Sequence, residues 1–431
     1  MVLFGVSCGL NSERKLYYLS LFNIIMLFMK LSSCVKGYSL ETHRAVSPED
    51  TLKRIDPLMP LTGVTQVEDI TGVDRLGIPV FCCRRLGING KEFVHNGKGA
   101  TPVAARVSAI MEVIERFSAE VDGREMVSGS YSQLSAEYSL LPPEEIILPE
   151  YVDSEAIISW VWAYDIIRDE PILVPAHAVF HPLDSSYGNF IRTHTNGIAS
   201  GNTREEAIFH ALAELVERDA WSLAEVTRNA GPVVVNITDE RCVQVIESFR
   251  EAGVEVIVRD ITSDIRLPTI VAICDDVKLK DPTLLCTGAG THVCPEIAVL
   301  RALTEVAQSR ATQLYIDGTK PNGADMRRVM GYDRTKRMNR IWFSNDTDSS
   351  YGDIEAFRSD DFLTDIKYVL DELKKAGLDR CIVVDLTRED IGIPVVRVIV
   401  PGLEVFTMDP DRIGKRCRNA VKNGYKPGVW D

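Results

Sequence analysis

The chain lacks most of the short signatures that assign chemistry at sight. None of its ten cysteines forms a C-x-x-C pair, and none stands with histidine at zinc-finger spacing. A sequence-encoded zinc ribbon or a dithiol redox centre is therefore not expected. Several cysteines sit inside apolar runs such as VAICDD and RCIVVD, which reads as reduced, buried thiols of a cytoplasmic protein. There is no G-x-x-x-x-G-K-[ST] phosphate loop and no kinase signature set, so any nucleotide site must be of another kind. Positive charge is in deficit: 48 Lys and Arg stand against 62 Asp and Glu, a formal net charge of −14. A nucleic-acid partner, which would need a basic face, is not expected. No segment is of low complexity. One apolar stretch, YYLSLFNIIMLF after Arg14 and Lys15, resembles the core of a signal peptide but is too short for a comfortable membrane span. Two readings stand for it: translation that begins at Met29, or an anchor, export signal or packing segment.

What is present is a chain of 431 residues, 45% hydrophobic and 26% charged, enough for a sizeable core. Residues 1–45 read as an N-terminal extension and 46–431 as one domain. S-P-E-D at 47–50 is placed to cap a short helix. GIPVFCCRRL, WVWAYDII, PILVPAHAVF, VEVIVRDIT, PTIVAICDD and CIVVDLT read as strands. RCVQVIESFREAG and DFLTDIKYVLDELKKAG read as helices, the second stopped by Gly377. KEFVHNGKGATPVAARVSAIMEVIERFSAE reads as a glycine-rich loop running into a helix. The whole is a mixed α/β pattern.

An internal repeat organises it. A shift of 102 positions lays GKGATPVAARVSAIMEVIER on ASGNTREEAIFHALAELVER. Gly99 then meets Gly201, and Glu112, Glu115 and Arg116 meet Glu214, Glu217 and Arg218. A fainter third copy, EIAVLRALTEVAQSR, puts Ala298, Ala302 and Glu305 in the same places, with Gln308 for the second Glu.

Each copy carries an acidic stripe. At about 100° per residue, His210 lies about 40°, Glu214 about 80° and Glu217 about 20° from Glu206. Ser108, Glu112 and Glu115 share a narrow arc, as do Arg301, Glu305, Gln308 and Thr312. One such helix alone could be a solvated face. Three copies, nearly free of lysine and flanked by small or apolar residues, point instead to a shared cleft. Carboxylates about 4 Å apart repel by on the order of 4 kcal/mol at a dielectric of about 20, so the cluster needs cations. Oxygen ligands without Cys or His suit Mg²⁺, which keeps waters and takes phosphate oxygens. Lys98, Arg116, Arg218, Arg301 and Arg310 are then candidates for phosphate. Gly97, Gly99 and Gly201 would allow a close backbone approach at helix N-termini.

GKG with S-x-x-x-E-x-x-E-R, then S-G-N-T-x-x-E-A with E-x-x-E-R, then E-x-x-Q-x-R, together resemble the YcaO superfamily over roughly residues 60–410. The resemblance implies a YcaO-type mixed α/β fold whose ATP/Mg²⁺ cleft is built from the repeated loop–helix units. It implies an enzyme that uses ATP to phosphorylate a peptide backbone amide oxygen after a nucleophile adds to the carbonyl carbon. By the same resemblance Lys98, Ser108, Glu112, Glu115, Arg116, Asn202, Glu206, Glu214, Glu217, Arg218, Glu305, Gln308 and Arg310 bind the nucleotide. Glu112, Glu115, Glu206, Glu214, Glu217 and Glu305 are its metal ligands. His210 stands where the family varies and is expected to be a packed polar residue.

Azoline-forming members end in a proline-rich tail, whereas this sequence ends RNAVKNGYKPGVWD, with one proline. TGVTQVEDITGVDRLGIPVF is similar to the methanogenesis-marker branch, which works with a TfuA-type partner. That branch places a thioamide on a glycine of the methyl-coenzyme M reductase α subunit. The expectation is therefore a cytoplasmic, homodimeric thioamide-forming enzyme that takes a protein or peptide substrate and a sulfide-level sulfur donor. An azoline-forming cyclodehydratase and a non-catalytic peptide-binding scaffold are the alternatives.

Overall fold

The computed structural model describes residues 30–87, 90–149, 153, 155–316, 323–344 and 347–428. The signal-like stretch before Met29 lies outside them. The fold is mixed α/β, with three larger sheets, a two-stranded ribbon of Tyr38–Ser39 and His43–Arg44, and long helices packed over the sheets. A three-stranded antiparallel sheet comprises β1 (Val64–Asp69), β2 (Val80–Leu86) and β3 (Glu92–Lys98). A second sheet holds β4 (Val127–Gly129), β5 (Ile158–Asp165), β6 (Glu170–Pro175), β7 (Ile198–Ser200), β13 (Ile382–Asp385) and β14 (Val395–Ile399). Its order is β4-β5-β13-β14-β7, with β6 also paired to β5. The third holds β8 (Val233–Val235), β9 (Glu255–Asp260), β10 (Thr269–Asp275), β11 (Thr287–Thr291) and β12 (Asp348–Ser350), in order β11-β10-β9-β8-β12. Only its β8–β12 pair is parallel.

Each long site helix follows a strand. β3 leads into α2 (Pro102–Ser118), β7 into α3 (Arg204–Thr227) and β11 into α5 (Pro295–Ile316). Before them lies α1 (Pro48–Ile55), and Ser47 caps it by accepting from the Asp50 amide, as S-P-E-D predicts. The helices α4 (Glu240–Glu251) and α6 (Phe362–Lys375) also stand where the periodicity puts them, and Gly377 follows α6 at φ 81°. The chain closes with α7 (Lys415–Asn423).

Thr101 and Thr203 cap α2 and α3 by accepting from the Ala104 and Glu206 amides. α3 has no Gly or Pro within it and is buried on most sides. Its Phe209, Leu212 and Val216 join Phe362, Ile366 and Val369 of α6 and Val396 and Val398 of β14 in one core. Ile110 and Ile114 of α2 join Val161, Ile172, Ile382 and Val395 in a second. Ala298, Ala302 and Val306 of α5 pack on Ile270 and Ala272 in a third. Each fully buried Leu, Ile or Phe contributes roughly 1.5–3 kcal/mol, so three cores hold the three site helices firmly.

One glycine-bearing segment expected to be a loop is a strand, β3, and the glycine-bearing β11 is a second strand of the same kind. A Cβ on Gly97 would lie 2.1 Å from the Ala109 nitrogen, and one on Gly290 2.2 Å from the Ala298 oxygen. These positions are glycine because a helix of the same unit lies directly on the strand. Gly99 and Gly201 likewise face the first turn of their own helices. The glycine spacing thus serves helix–strand packing, and Gly99 also lines the cleft between the helices. Gly97 and Gly290 occupy equivalent places relative to Ala105 and Ala298, so the repeat extends into the strands.

Residues 30–45, read as part of an extension, lie against the domain. Lys36 pairs with Asp365 at 2.5 Å, and the Ser32 amide donates to Glu205 at 2.9 Å. The nine described cysteines form no disulfide, and all but the half-buried Cys34 are buried. Among the described residues no helix is long and apolar enough to cross a membrane.

Candidate active site

α2, α3 and α5 turn their polar stripes towards one another around a cleft of about 410 Å³. Lys98, Ser108, Glu112, Glu115 and Arg116 line it from the first unit. Asn202, Glu206, Glu214, Glu217 and Arg218 line it from the second, and Glu305 and Gln308 from the third. The structure brings these twelve together. It does not bring in Arg310, which is 0% exposed and forks onto Asp74 at 2.8 and 3.0 Å, with Asp276 at 3.3 Å. This guanidinium is a structural tie between Asp74 and Asp276 and does not line the cleft. Arg301 does line the cleft.

The units hold one another by their strand ends. Lys98, last in β3, hydrogen-bonds Glu305 of the third unit. Ser200, last in β7, donates its amide and hydroxyl to Glu115 of the first, at 3.0 and 2.8 Å. Gln308 donates to the Asn96 carbonyl at 3.0 Å. The shift of 102 that aligns the helices also aligns Lys98 with Ser200, a signal the helix-face argument passed over.

Charge is balanced unevenly. Burial raises the Glu112 carboxyl, but His95 and Arg116 outweigh it and hold it below the usual range. Glu305 is likewise lowered against burial by Lys98 and Arg218. Glu115, Glu214 and Glu217 are pushed up by burial, which Arg116 and Arg218 offset only in part. Glu214 makes no hydrogen bond among the described residues, and Arg218 reaches Glu217 only at 3.4 Å. Three carboxyls short of positive charge, Glu217 buried and Glu115 and Glu214 half-buried, fit an incoming divalent cation, and all are hard oxygen donors. The basic side offers donors too: Arg116 Nη1, Arg218 Nε and Arg301 Nε are buried without hydrogen-bond partners. Such guanidinium nitrogens suit phosphate oxygens. The donor set therefore fits both halves of a magnesium nucleotide.

One contributor carried no sequence signal. Arg44 lines the cleft from the N-terminal segment, 3.4 Å from Glu206, and hydrogen-bonds His210. The Ala45 amide donates to Glu206 at 2.8 Å, and Asn202 reaches both Glu206 oxygens at 3.3 Å. His210 is thus a cleft residue braced by Arg44. Its burial, with Arg44 and Arg301 nearby, keeps it neutral.

A protein-family model described as YcaO cyclodehydratase, ATP- and Mg²⁺-binding, matches residues 96–404. The chain belongs to the YcaO family. This YcaO chain is 46% identical over 388 residues to an uncharacterized protein of Methanothermobacter thermautotrophicus, covering 88% of this chain and 99% of that one. It is 29% identical over 409 residues to a protein encoded in the tfuA 3′ region of Rhizobium leguminosarum bv. trifolii, covering 90% and 94%. Among solved structures it matches YcaO from Methanopyrus kandleri bound with AMPPCP and Mg²⁺, with a TM-score of 0.76 and 32% identity, over 89% of this chain and 98% of that one. A heterocyclase in complex with substrate and cofactor matches with a TM-score of 0.79 and 25% identity, over 93% and 58%. As a YcaO protein the chain is an ATP-dependent peptide-modifying enzyme, with ATP and Mg²⁺ as cofactors.

Proposed function

We propose that this YcaO enzyme activates a peptide backbone amide and replaces its oxygen with sulfur, giving a thioamide. The substrate proposed is a glycine of the methyl-coenzyme M reductase α subunit. The observation that carries the reading is the cleft itself, where three acidic helices converge with unpaired guanidinium nitrogens between them. Glu112, Glu115, Glu206, Glu214, Glu217 and Glu305 would hold Mg²⁺. Lys98, Arg116 and Arg218 would take the phosphates, with Arg301 beside them. Bound Mg-ATP supplies the phosphoryl group that turns the amide oxygen into a leaving group. The protein's part is to position reactants and balance charge. The strand-end contacts from Lys98 and Ser200 fix the three stripes relative to one another. The relative encoded beside tfuA supports a TfuA-type partner that presents the substrate or the sulfur.

The heterocyclase likeness favours a second reading, azoline formation from a Cys, Ser or Thr side chain. One experiment separates them. The protein is incubated with Mg-ATP, sulfide, a TfuA-type partner and a glycine-containing substrate peptide, and the peptide is weighed by mass spectrometry. Exchange of oxygen for sulfur is expected. Loss of water would assign the azoline reaction instead, and an unchanged peptide without nucleotide binding would leave only a scaffold.

A further inference from the structure

On α3, Glu214 lines the cleft, while the next residue, Leu215, lines a second cavity of about 50 Å³. The polar residues there include His194, Asn196, Arg397 and Arg412. Asn196 is 1% exposed, and Arg397 and Arg412 are 3% exposed. Arg397 donates to the His194 carbonyl at 2.9 Å, and Arg412 to the Ile147 carbonyl at 2.6 Å. Arg397 Nη2 also lies 3.5 Å from His194 Nδ1, but other polar groups are left over. Arg397 Nε, Arg412 Nη1 and both amide atoms of Asn196 are buried with no partner.

Neither guanidinium forms an ion pair among the described residues. Glu145 also lines the cavity, but its carboxylate is 3.1 Å from Arg380. Asp409 lies 3.6 Å from Arg192. Glu214 acts on Arg397, and Asp409 on Arg412, only at longer range. His194 stays neutral, its pKa driven down to about 2 by burial and by Arg397. Two buried positive charges beside one cavity, without a paired carboxylate, are costly unless something negative joins them. Burial lowers Arg397 to about 9, and Arg412 adds to the shift, which is the behaviour of a cation short of a counterion.

We propose that this cavity binds a small monovalent anion, chloride or hydrosulfide, between Arg397, Arg412 and the Asn196 amide. A water needs ~10–15 Å³, so the space takes a compact anion with a little water and excludes a nucleotide. The site does not depend on the reaction proposed above. It lies one residue along α3 from the cleft carboxylate Glu214, so its occupant sets how much positive charge Arg397 directs at that carboxylate.

The test uses crystals of the full chain grown in gluconate salts and soaked in bromide. An anomalous peak within hydrogen-bonding distance of Arg397 Nε and Asn196 is expected; water density alone in the cavity would overturn the proposal. In solution, Tm should be a few degrees higher in chloride than in gluconate at matched ionic strength. Arg397→Met should remove that difference. Asn196→Asp, which supplies the negative charge from the chain, should remove it too if Arg397→Met fails to fold. Equal wild-type Tm in both salts would also overturn the site. Displacement of bromide by sodium hydrosulfide would assign hydrosulfide as a ligand, and persistence of bromide would assign the site to halide.

Discussion

At the scale of single residues, the cleft rests on which carboxylates meet a cation and which are already tied. Glu217→Gln keeps the size of the side chain and removes one buried charge. It and Glu112→Gln are expected to fold with unchanged circular dichroism and to weaken Mg-ATP binding at least about tenfold, or ~1.4 kcal/mol, in calorimetric titration. Wild-type affinity in both would discard the metal cleft. Arg310 gives the opposite expectation. Arg310→Met leaves Asp74 and Asp276 facing each other's charge in a buried site, although Arg75 still reaches Asp276 at 2.6 Å. Breaking a buried pair costs ~3–5 kcal/mol, so urea denaturation should show a loss of that order while Mg-ATP affinity of the folded protein stays near wild type. Arg310 shows what the sequence could and could not disclose. It belongs to the third motif, but it stands about 140° around the helix from Glu305, on the side that meets Asp74. Motif membership does not state which way a side chain points. Arg44 was illegible for another reason: it comes from an aperiodic segment more than 150 positions from Glu206 and reaches it only through tertiary folding.

At the scale of elements, the periodic helices were readable because burial on one face imposes a 3.6-residue rhythm. The strands β2, β5, β6, β9, β10 and β13, rich in Val, Ile and aromatic residues, were readable too. β3 and β11 were not, because Gly97, Gly288 and Gly290 make a strand look like a loop. Their glycines answer to the helix lying above, a partner that local sequence does not reveal. Gly97→Ala should therefore be destabilising by about 1–3 kcal/mol as the helix is forced off the strand. Gly72→Ala, where an added Cβ meets nothing within 4 Å, should change stability little. Chemical denaturation of the two side by side checks it; a neutral Gly97→Ala would mean that α2 can shift freely over β3.

At the scale of the whole molecule, the repeat was legible while the closing segment was not. Three strand–helix units bring the stripes together, and residues 30–45 lie across the cleft's side through Arg44 and the Ala45 amide. A chain beginning at residue 46 loses these contacts and the buried Lys36–Asp365 pair. It is expected to melt at lower temperature and to bind Mg-ATP more weakly, by differential scanning fluorimetry and calorimetry. An unchanged affinity would make the segment mere covering.

The Lys98–Glu305 bond joins the first unit to the third and ties up one basic and one acidic group in the same contact. A metal ion that takes Glu305 would release Lys98, and a phosphate that takes Lys98 would release Glu305. Each guest would thus remove the cost the other would have met. Thermodynamic reciprocity then requires that each raise the other's affinity by the same factor. Lys98→Met should weaken this synergy as well as phosphate binding, seen as a smaller dependence of nucleotide affinity on Mg²⁺ concentration. An empty cleft of this design resists either guest alone and admits the pair.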